Sequence, residues 1–281
     1  MSGRSLRASI NQQEVGSLQE VAGLWSFQYT PDWLANPKGF ALSPHIPLSA
    51  QPLLDGASQR PVQWYFDNLL PEEDQRVLLA KDARLDAADA FGLLAWYGAE
   101  SAGSVTLLPP EAAPQTTEPL RPLPDDALQA RIRQLPRAPL THAAVKRMSL
   151  AGAQHKLAVV LQDGALFEPA GATPSTHILK PDHPDADYPH SVINEWFVMR
   201  LARRLGLDVP EVHRRYVPSP VYLIDRFDRI AGEQGWQRRH AIDACQLLGL
   251  DRSFKSPPGR LERLAALANA CRSPAVARSR L

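Results

Sequence analysis

The 281-residue sequence predicts an α+β fold, in which two strand-bearing units are joined by an extended connector and followed by a helical end. Three observations carry that expectation. Residues 23–29 alternate apolar and polar side chains, the period of a half-buried strand. Residues 109–124 are so dense in proline that neither a helix nor a central strand can persist there, which favours a semi-rigid connector. Beyond it, short apolar runs broken by turn residues give way to helical periodicity. The expected division is a small first subdomain at 1–108, the connector at 109–124, a second unit at 125–230 and a helical segment at 231–281.

In the first unit, residues 64–70 and 72–81 carry helical patterning, with Pro71 between them at a first-turn position. Residues 88–97 form a further expected helix that closes near Gly98. In the second unit, residues 157–161 read as a strand, Asp163-Gly164 as its turn, and 176–180 as another strand. Ser191 is placed to cap a helix running to about Leu205, with Gly206 as its stop. Val192, Trp196 and Met199 share one face of that helix. Residues 212–217 and 221–225 are expected strands, and past Ala231 the chain is expected to turn helical, at 241–248 and 261–271. No repeat of solenoid length is present.

Bulk properties narrow the function classes. Hydrophobic residues make up 44% and charged residues 22%, which is globular composition. The balance of 31 basic and 30 acidic side chains, net +1, provides no global electrostatic case for nucleic acid. The pairs Arg203-Arg204, Arg214-Arg215 and Arg238-Arg239 read as solvated helix faces and loop edges. Two cysteines, Cys245 and Cys271, with no CxxC spacing, exclude a disulfide-stapled scaffold and fit a reducing cytosol. The first residues lack the apolar stretch of a signal peptide, and no apolar run approaches the roughly 20 residues of a membrane span. A cytoplasmic protein without a membrane partner is the expectation.

Chemistry concentrates in two motifs. Ser149-Leu150-Ala151-Gly152-Ala153-Gln154-His155-Lys156 is a small-residue loop whose backbone N–H groups can approach a phosphate closely. Its Ser149 hydroxyl could itself accept a phosphoryl group, and the added charge would lock or eject the loop. The loop is neither a Walker A motif nor GxGxxG. Thr176-His177-Ile178-Leu179-Lys180 is a short strand ending on a lysine. A phosphate-covering loop, a strand lysine and a glutamate on the next helix, here Glu195, form the order in which a kinase N-lobe holds a nucleotide. Asp225, Arg226 and Phe227 close an apolar strand and run into a polar linker, where an interlobe hinge would sit.

Other constellations read as ordinary surface. His183, Asp185, Asp187 and His190 have metal-site composition, but two prolines and the absence of any period favour a solvated loop. His240 and Asp243 read as a helix surface pair. No Gly-x-Ser-x-Gly and no metal-ligand set is read from the sequence.

Residues 149–156, together with Thr173-Pro174-Ser175-Thr176-His177-Ile178-Leu179-Lys180, Asn194-Glu195 and Asp225-Arg226-Phe227-Asp228-Arg229, closely resemble the HipA family of bacterial toxin kinases. Trp64-Tyr65-Phe66-Asp67-Asn68-Leu69-Leu70-Pro71-Glu72 and Phe91-Gly92-Leu93-Leu94-Ala95-Trp96-Tyr97-Gly98 resemble that family's first subdomain. Asp243-Ala244-Cys245-Gln246-Leu247-Leu248-Gly249-Leu250 with Lys255 resembles its first C-lobe helix. The resemblance implies a kinase-like N-lobe and an incomplete helical C-lobe, in a protein Ser/Thr kinase that slows growth by phosphorylating a component of translation. It also implies a HipB-like helix-turn-helix antitoxin that carries the toxin onto operator DNA. By the same resemblance Ala151, Gly152, Ala153, Gln154, His155, Lys156 and Lys180 would hold the phosphates of Mg-ATP, with Glu195 orienting Lys180. Asp225, Arg226 and Phe227 would meet adenine, and Ser149 matches an inhibitory autophosphorylation serine. The family's catalytic aspartate, its companion asparagine and its metal-binding aspartate lie further along than Leu281. The expectation is therefore a C-terminally truncated chain without independent kinase activity. The alternatives are a non-catalytic scaffold for the antitoxin or one half of a split kinase.

Overall fold

The computed structural model describes residues 3–142, 144–233, 235–255 and 261–280. The first unit is an antiparallel meander, β1 (Arg4–Ile10), β2 (Gln13–Val21) and β3 (Leu24–Tyr29). Its two hairpin turns place both central residues at positive φ, Asn11 and Gln12 at 47° and 68°, Ala22 and Gly23 at 50° and 77°. That geometry matches the right-handed twist of the strands it joins. Helix α1 (Pro31–Ala35), capped by Thr30, and the short β4 (Leu53–Leu54) follow. Helices α2 (Pro61–Asp67), α3 (Glu73–Ala83) and α4 (Ala90–Tyr97) then lead to β5 (Val105–Leu108), which pairs with β1. The sheet order is β4-β3-β2-β1-β5. Period-2 alternation buries Leu6, Ala8 and Ile10 of β1 and Trp25, Phe27 and Tyr29 of β3 against Phe66, Phe91 and Tyr97 of the helices.

The proline-rich stretch at 109–124 contains no helix, and part of it joins a sheet. Its β6 (Arg121–Pro122) is the edge strand of the second sheet, the position in which a proline costs no ladder bond. Helix α5 (Asp125–Ile132) follows, then β7 (Leu157–Gln162) and β8 (Ala165–Glu168), joined by Asp163-Gly164 at φ 51° and 77°. Strand β9 (His177–Pro181), helix α6 (Ser191–Arg204), β10 (Val212–Tyr216) and β11 (Pro220–Asp225) complete the order β10-β11-β9-β7-β8-β6. Val192, Trp196 and Met199 of α6 pack on Val212, Tyr222 and Ile224 of this sheet, the face expected from their spacing. Strands β12 (Arg229–Gly232) and β13 (Gly235–Arg238) form a hairpin, and α7 (Ala244–Leu248), α8 (Leu261–Ala270) and α9 (Pro274–Arg280) end the chain.

The helices expected at 241–248 and 261–271 form as α7 and α8, after the β12–β13 hairpin that Gly235 turns at φ +100° and whose Arg238 enters a buried ion cluster. Two local expectations are corrected. Ser191 is not the N-cap of α6. His190 occupies that position in the left-handed region, while Asp182 Oδ1, across the loop, accepts the Val192 N–H at 2.8 Å. His240 and Asp243 do not share a helix surface. The His240 ring lies 2.9 Å from Ser104 Oγ and 2.8 Å from the Leu42 carbonyl, and Asp243 caps α7.

The two sheets are fastened by Glu100, which lies just past α4 and is fully buried. Its carboxylate faces Lys146 at 3.1 Å, Arg229 at 2.9 Å, Arg226 at 3.4 Å and Arg238 at 2.5 Å, and accepts the Ser175 hydroxyl at 2.7 Å. Asp228 adds a second carboxylate, 2.7 Å from Arg226 and 3.0 Å from Arg229, and accepts the Gly103 N–H. The remaining guanidinium protons go to the carbonyls of Ser101, Gly103 and Ser175, so the excess positive charge is matched by oriented dipoles. Burial alone would raise the Glu100 carboxyl, but Arg238, Lys146, Arg229 and Arg226 hold it well below the usual glutamate range.

Removing one member of such a cluster strands the others. Glu100→Ala should cost about 3–5 kcal/mol in urea unfolding, against less than about 1 kcal/mol for the exposed pair partner Arg4→Ala. Because the folded carboxyl lies below its unfolded value, its contribution is present at higher pH and is lost as pH falls below 4.5. The acid drop in the urea midpoint should therefore be shallower in Glu100→Gln. An acid limb identical to that of the wild type would exclude Glu100 as its source.

Candidate functional site

The loop before β7 is built against the first unit. Pro71 bridges Gly152 and Glu100 bridges Met148 as isolated parallel pairs, and the Ser149 N–H donates to the Glu100 carbonyl at 2.9 Å. Gly152 sits at φ +105°, where a Cβ would lie 2.6 Å from Lys156 Nζ, so the loop can curl over that lysine only with glycine here. Lys156 Nζ in turn donates to the Ala151 carbonyl at 2.7 Å. Ala153 is exposed and Gln154 half-buried. His155 is buried, with its Nε2 3.2 Å from Gln75 Nε2 and no hydrogen-bond partner on Nδ1 among the described residues. Burial, with His183 and Lys156 adding nearby charge, pushes His155 down to about 4 and leaves the ring neutral at pH 7.

Lys180 ends β9 opposite Tyr222 of β11. Its ammonium donates to both carboxylate oxygens of Glu195 on α6, at 3.0 and 2.8 Å, and lies 5.8 Å from the Tyr222 ring centroid. The strand lysine and the helix glutamate picked out by sequence order thus form an ion pair across sheet and helix. Lys156 shares the cleft. Burial first, then the Lys180 ammonium, push Lys156 down to about 8, with Glu72 and Glu195 opposing. Two ammonium groups held this close form a cradle for an anion, and backbone around Gly152 completes it.

Two lining residues were not legible beforehand. Lys255 donates to Asp243 at 2.9 Å and to the Asn68 carbonyl at 3.0 Å, with Glu72 at 3.3 Å, and so brings a third cation to the same wall. No local pattern marks either Lys255 or Glu72, because they meet only through the docking of α7 on α2. The loop separates two hollows. One of about 480 Å³ is lined by Glu72, Ala151, Gly152, Asp243, Cys245 and Lys255. The other, of about 1220 Å³, is lined by Asp74, Arg137, Gln154, His155, His183 and Ser191.

The remaining sequence-selected residues are spread apart. Arg226 turns inward, its side chain 2% exposed, into the Glu100 cluster. Phe227 is 71% exposed. By strand alternation the Asp225 carboxylate lies on the face of β11 opposite Tyr222 and Lys180, beside His177 and His213. Ser149 is buried, and its hydroxyl has no hydrogen-bond partner among the described residues. The His183–His190 loop brings together no group of three metal-ligating side chains among the described residues.

Comparison with known proteins falls on both units. The HipA N-terminal domain profile matches residues 6–108 and the HipA-like C-terminal domain profile matches residues 148–281. The serine/threonine-protein kinase toxin HipA of Shewanella oneidensis MR-1 is 33% identical over 280 residues, 93% of this chain and 62% of that protein. The Y4mE protein of Sinorhizobium fredii NGR234 is 39% identical over 240 residues, 83% of this chain and 56% of that protein. Among solved structures, the Shewanella oneidensis HipA, HipB and operator DNA complex superposes with a TM-score of 0.78 at 31% identity, over 98% of this chain and 66% of that one. The chain thus spans roughly three fifths of the length of these curated relatives. No helix among the described residues is long and apolar enough to cross a membrane.

A lysine whose folded value lies below its unfolded value of 10.5 opposes folding while it stays charged. Lys156→Met should therefore raise the melting temperature of the ligand-free chain, by about 2–4 °C for each kcal/mol relieved. It should also abolish a rise in stability between pH 8 and 10.5. A lowered melting temperature would mean that the bond to the Ala151 carbonyl outweighs the repulsion from Lys180.

Proposed function

We propose, because this chain belongs to the HipA family, that its 149–156 loop, Lys180 and Glu195 hold the phosphates of Mg-ATP for protein Ser/Thr phosphorylation. The observation that carries the reading is the Lys180–Glu195 pair at 2.8 Å beside the Lys156 ammonium and the Gly152 curl. The residues fit the ligand. Two lysines crowd each other until an anion joins them, and Gly152 leaves room for a phosphate to approach backbone. When bound, ATP supplies the phosphoryl group. The chain's own part is to bind and orient it, with Glu195 fixing the Lys180 ammonium and Lys156 bringing the second positive charge. Asp225 and Phe227 are assigned to the adenine end. Arg226 supports that segment from below, through Glu100 and Asp228.

The Ser149 hydroxyl is the modification site in this reading. It is buried beneath the loop, so a phosphate there would demand desolvation of two charges in a packed, protein-lined space. Phosphorylation would break the Ser149–Glu100 backbone bond and eject the loop, which removes half of the anion cradle. The complex in which the Shewanella oneidensis HipA structure was solved supports a HipB-like helix-turn-helix antitoxin as partner, with operator DNA reached through it. A component of translation is the proposed substrate class, the cytoplasm is the proposed compartment, and 1–108 is proposed as the antitoxin-facing subdomain.

Thermal-shift titration with Mg-ATP tests the binding claim. The melting temperature should climb with nucleotide concentration in the wild type, and the climb should disappear in Lys180→Met and in Ser149→Asp. Nucleotide affinity should also weaken as pH rises through 8, where Lys156 loses its proton. A shift of equal size in Lys180→Met would sink the phosphate-cradle assignment. A folded chain that shows no shift at all but still captures a helix-turn-helix partner would establish the scaffold alternative.

A further inference from the structure

Away from the lysine cleft, on the opposite face of the second sheet, three metal-capable side chains converge. His177 on β9 lies directly opposite Asp225 on β11, and His213 on β10 lies opposite Leu223, two residues before Asp225. Directly paired residues and those two apart project to the same face, so the three side chains meet across three adjacent strands. His177 Nε2 is 2.9 Å and His213 Nε2 3.6 Å from Asp225 Oδ1, and one ligand atom from each residue lies within 4.8 Å of the others.

Two further observations describe how this group is held. Asp225 Oδ1 is buried and faces both imidazoles, with His177 Nε2 at hydrogen-bond distance. The other nitrogen of that ring is held as well: His177 Nδ1 lies 2.7 Å from Thr176 Oγ1, which also accepts the Leu161 N–H. The Thr176 hydroxyl can either donate to Nδ1 or accept from it; in the second tautomer Nε2 carries its lone pair, the form in which the ring ligates a metal. A hydrogen bond from the far nitrogen is the support that metal-ligating histidines ordinarily have.

We infer that His177, His213 and Asp225 bind one divalent transition-metal ion, zinc by the chemistry of the ligand set. Two imidazole nitrogens and one carboxylate suit zinc and disfavour calcium and magnesium, which take oxygen ligands. Metal–ligand bonds of about 2.0–2.1 Å put tetrahedral ligands roughly 3.3–3.5 Å apart. The two carboxylate–imidazole separations, 2.9 and 3.6 Å, straddle that figure, and all three ligand atoms lie within 4.8 Å of one another, so the ion would draw the ligands together by small movements. The side chains of His213 and Asp225 are 42% and 45% exposed, which leaves the fourth position open to water or an outside ligand. The ion would tie β10 and β9 to the end of β11, where the Asp225–Phe227 segment leaves the sheet.

The test uses the purified full chain, dialysed against chelator, in the absence of nucleotide. Zinc is titrated in competition with a chromophoric chelator, and cobalt is added separately to read coordination from its visible spectrum. The expected result is one equivalent bound, a four-coordinate cobalt spectrum, and a rise in melting temperature with zinc. His213→Ala, on an exposed edge strand that tolerates the change, should weaken zinc at least tenfold, the lower end of what loss of even an outer-layer partner costs. Asp225→Asn should weaken it similarly, while His183→Ala should leave it unchanged. Undiminished binding in both His213→Ala and Asp225→Asn would overturn the assignment, as would a six-coordinate cobalt spectrum or no binding below millimolar zinc. None of these outcomes depends on whether the lysine cleft takes ATP.

Discussion

The buried carboxylate of Glu100 is the constraint on which the rest of this structure depends. One acidic side chain, fully removed from water, collects Lys146, Arg226, Arg229 and Arg238 from three separate stretches of the second unit. A lone carboxylate there would be neutralised by its own desolvation, and lone guanidiniums would not enter at all. Together, and with Asp228 and a set of backbone carbonyls as co-acceptors, they form a closed cluster in which each charge is tolerable because the others are present. Such a cluster contributes less to net stability than to geometry. It admits one relative placement of the first sheet, the β12–β13 hairpin and the exit of β11.

The same residue positions the chemistry through its main chain. The Glu100 carbonyl accepts the Ser149 N–H, and the bridge to Met148 continues the contact, so the phosphate-type loop begins at the edge of the ion cluster. The loop is thus held at one end by the first unit, through Glu100 and Pro71, and at the other by β7 of the second. Any event that moves the two units apart must also deform the loop. That coupling gives the first subdomain a mechanical route to the Lys156–Lys180 cleft without contributing a side chain to the phosphates.

Charge placement follows a consistent logic across the molecule. Near-neutral overall composition hides strong local asymmetry, with excess cations buried around Glu100 and further cations gathered at Lys156, Lys180 and Lys255. In the first place the excess is silenced by carbonyl dipoles. In the second, Glu195 answers Lys180 and Asp243 and Glu72 answer Lys255, while Lys156 donates to the Ala151 carbonyl and carries a depressed affinity for its own proton. A lysine charge held in a cleft in this way marks a place that an anionic ligand completes.

Much of this was legible in the amino-acid order, because the signals are local. Alternation in β3, the apolar run of β7, the Asp163-Gly164 turn, the Val192-Trp196-Met199 stripe and the glycine at the end of α6 each report a backbone preference or one face of one element. Order along the chain also sufficed to select Lys180 and Glu195, since a strand and the helix after it pack together whatever surrounds them. What sequence could not decide depends on groups far apart in the chain. Arg226 sits beside Asp225 and Phe227 but belongs to Glu100, 126 positions away. The β12–β13 hairpin, which no local pattern marked, brings Arg229 and Arg238 to that carboxylate. Lys255 reaches the cleft only because α7 docks on α2, and His177, His213 and Asp225 share one face only because three strands fall into one register. Local pattern determined the elements and the lysine–glutamate pair. The neutralisation of buried charge, which can be satisfied only in three dimensions, decided how the elements meet.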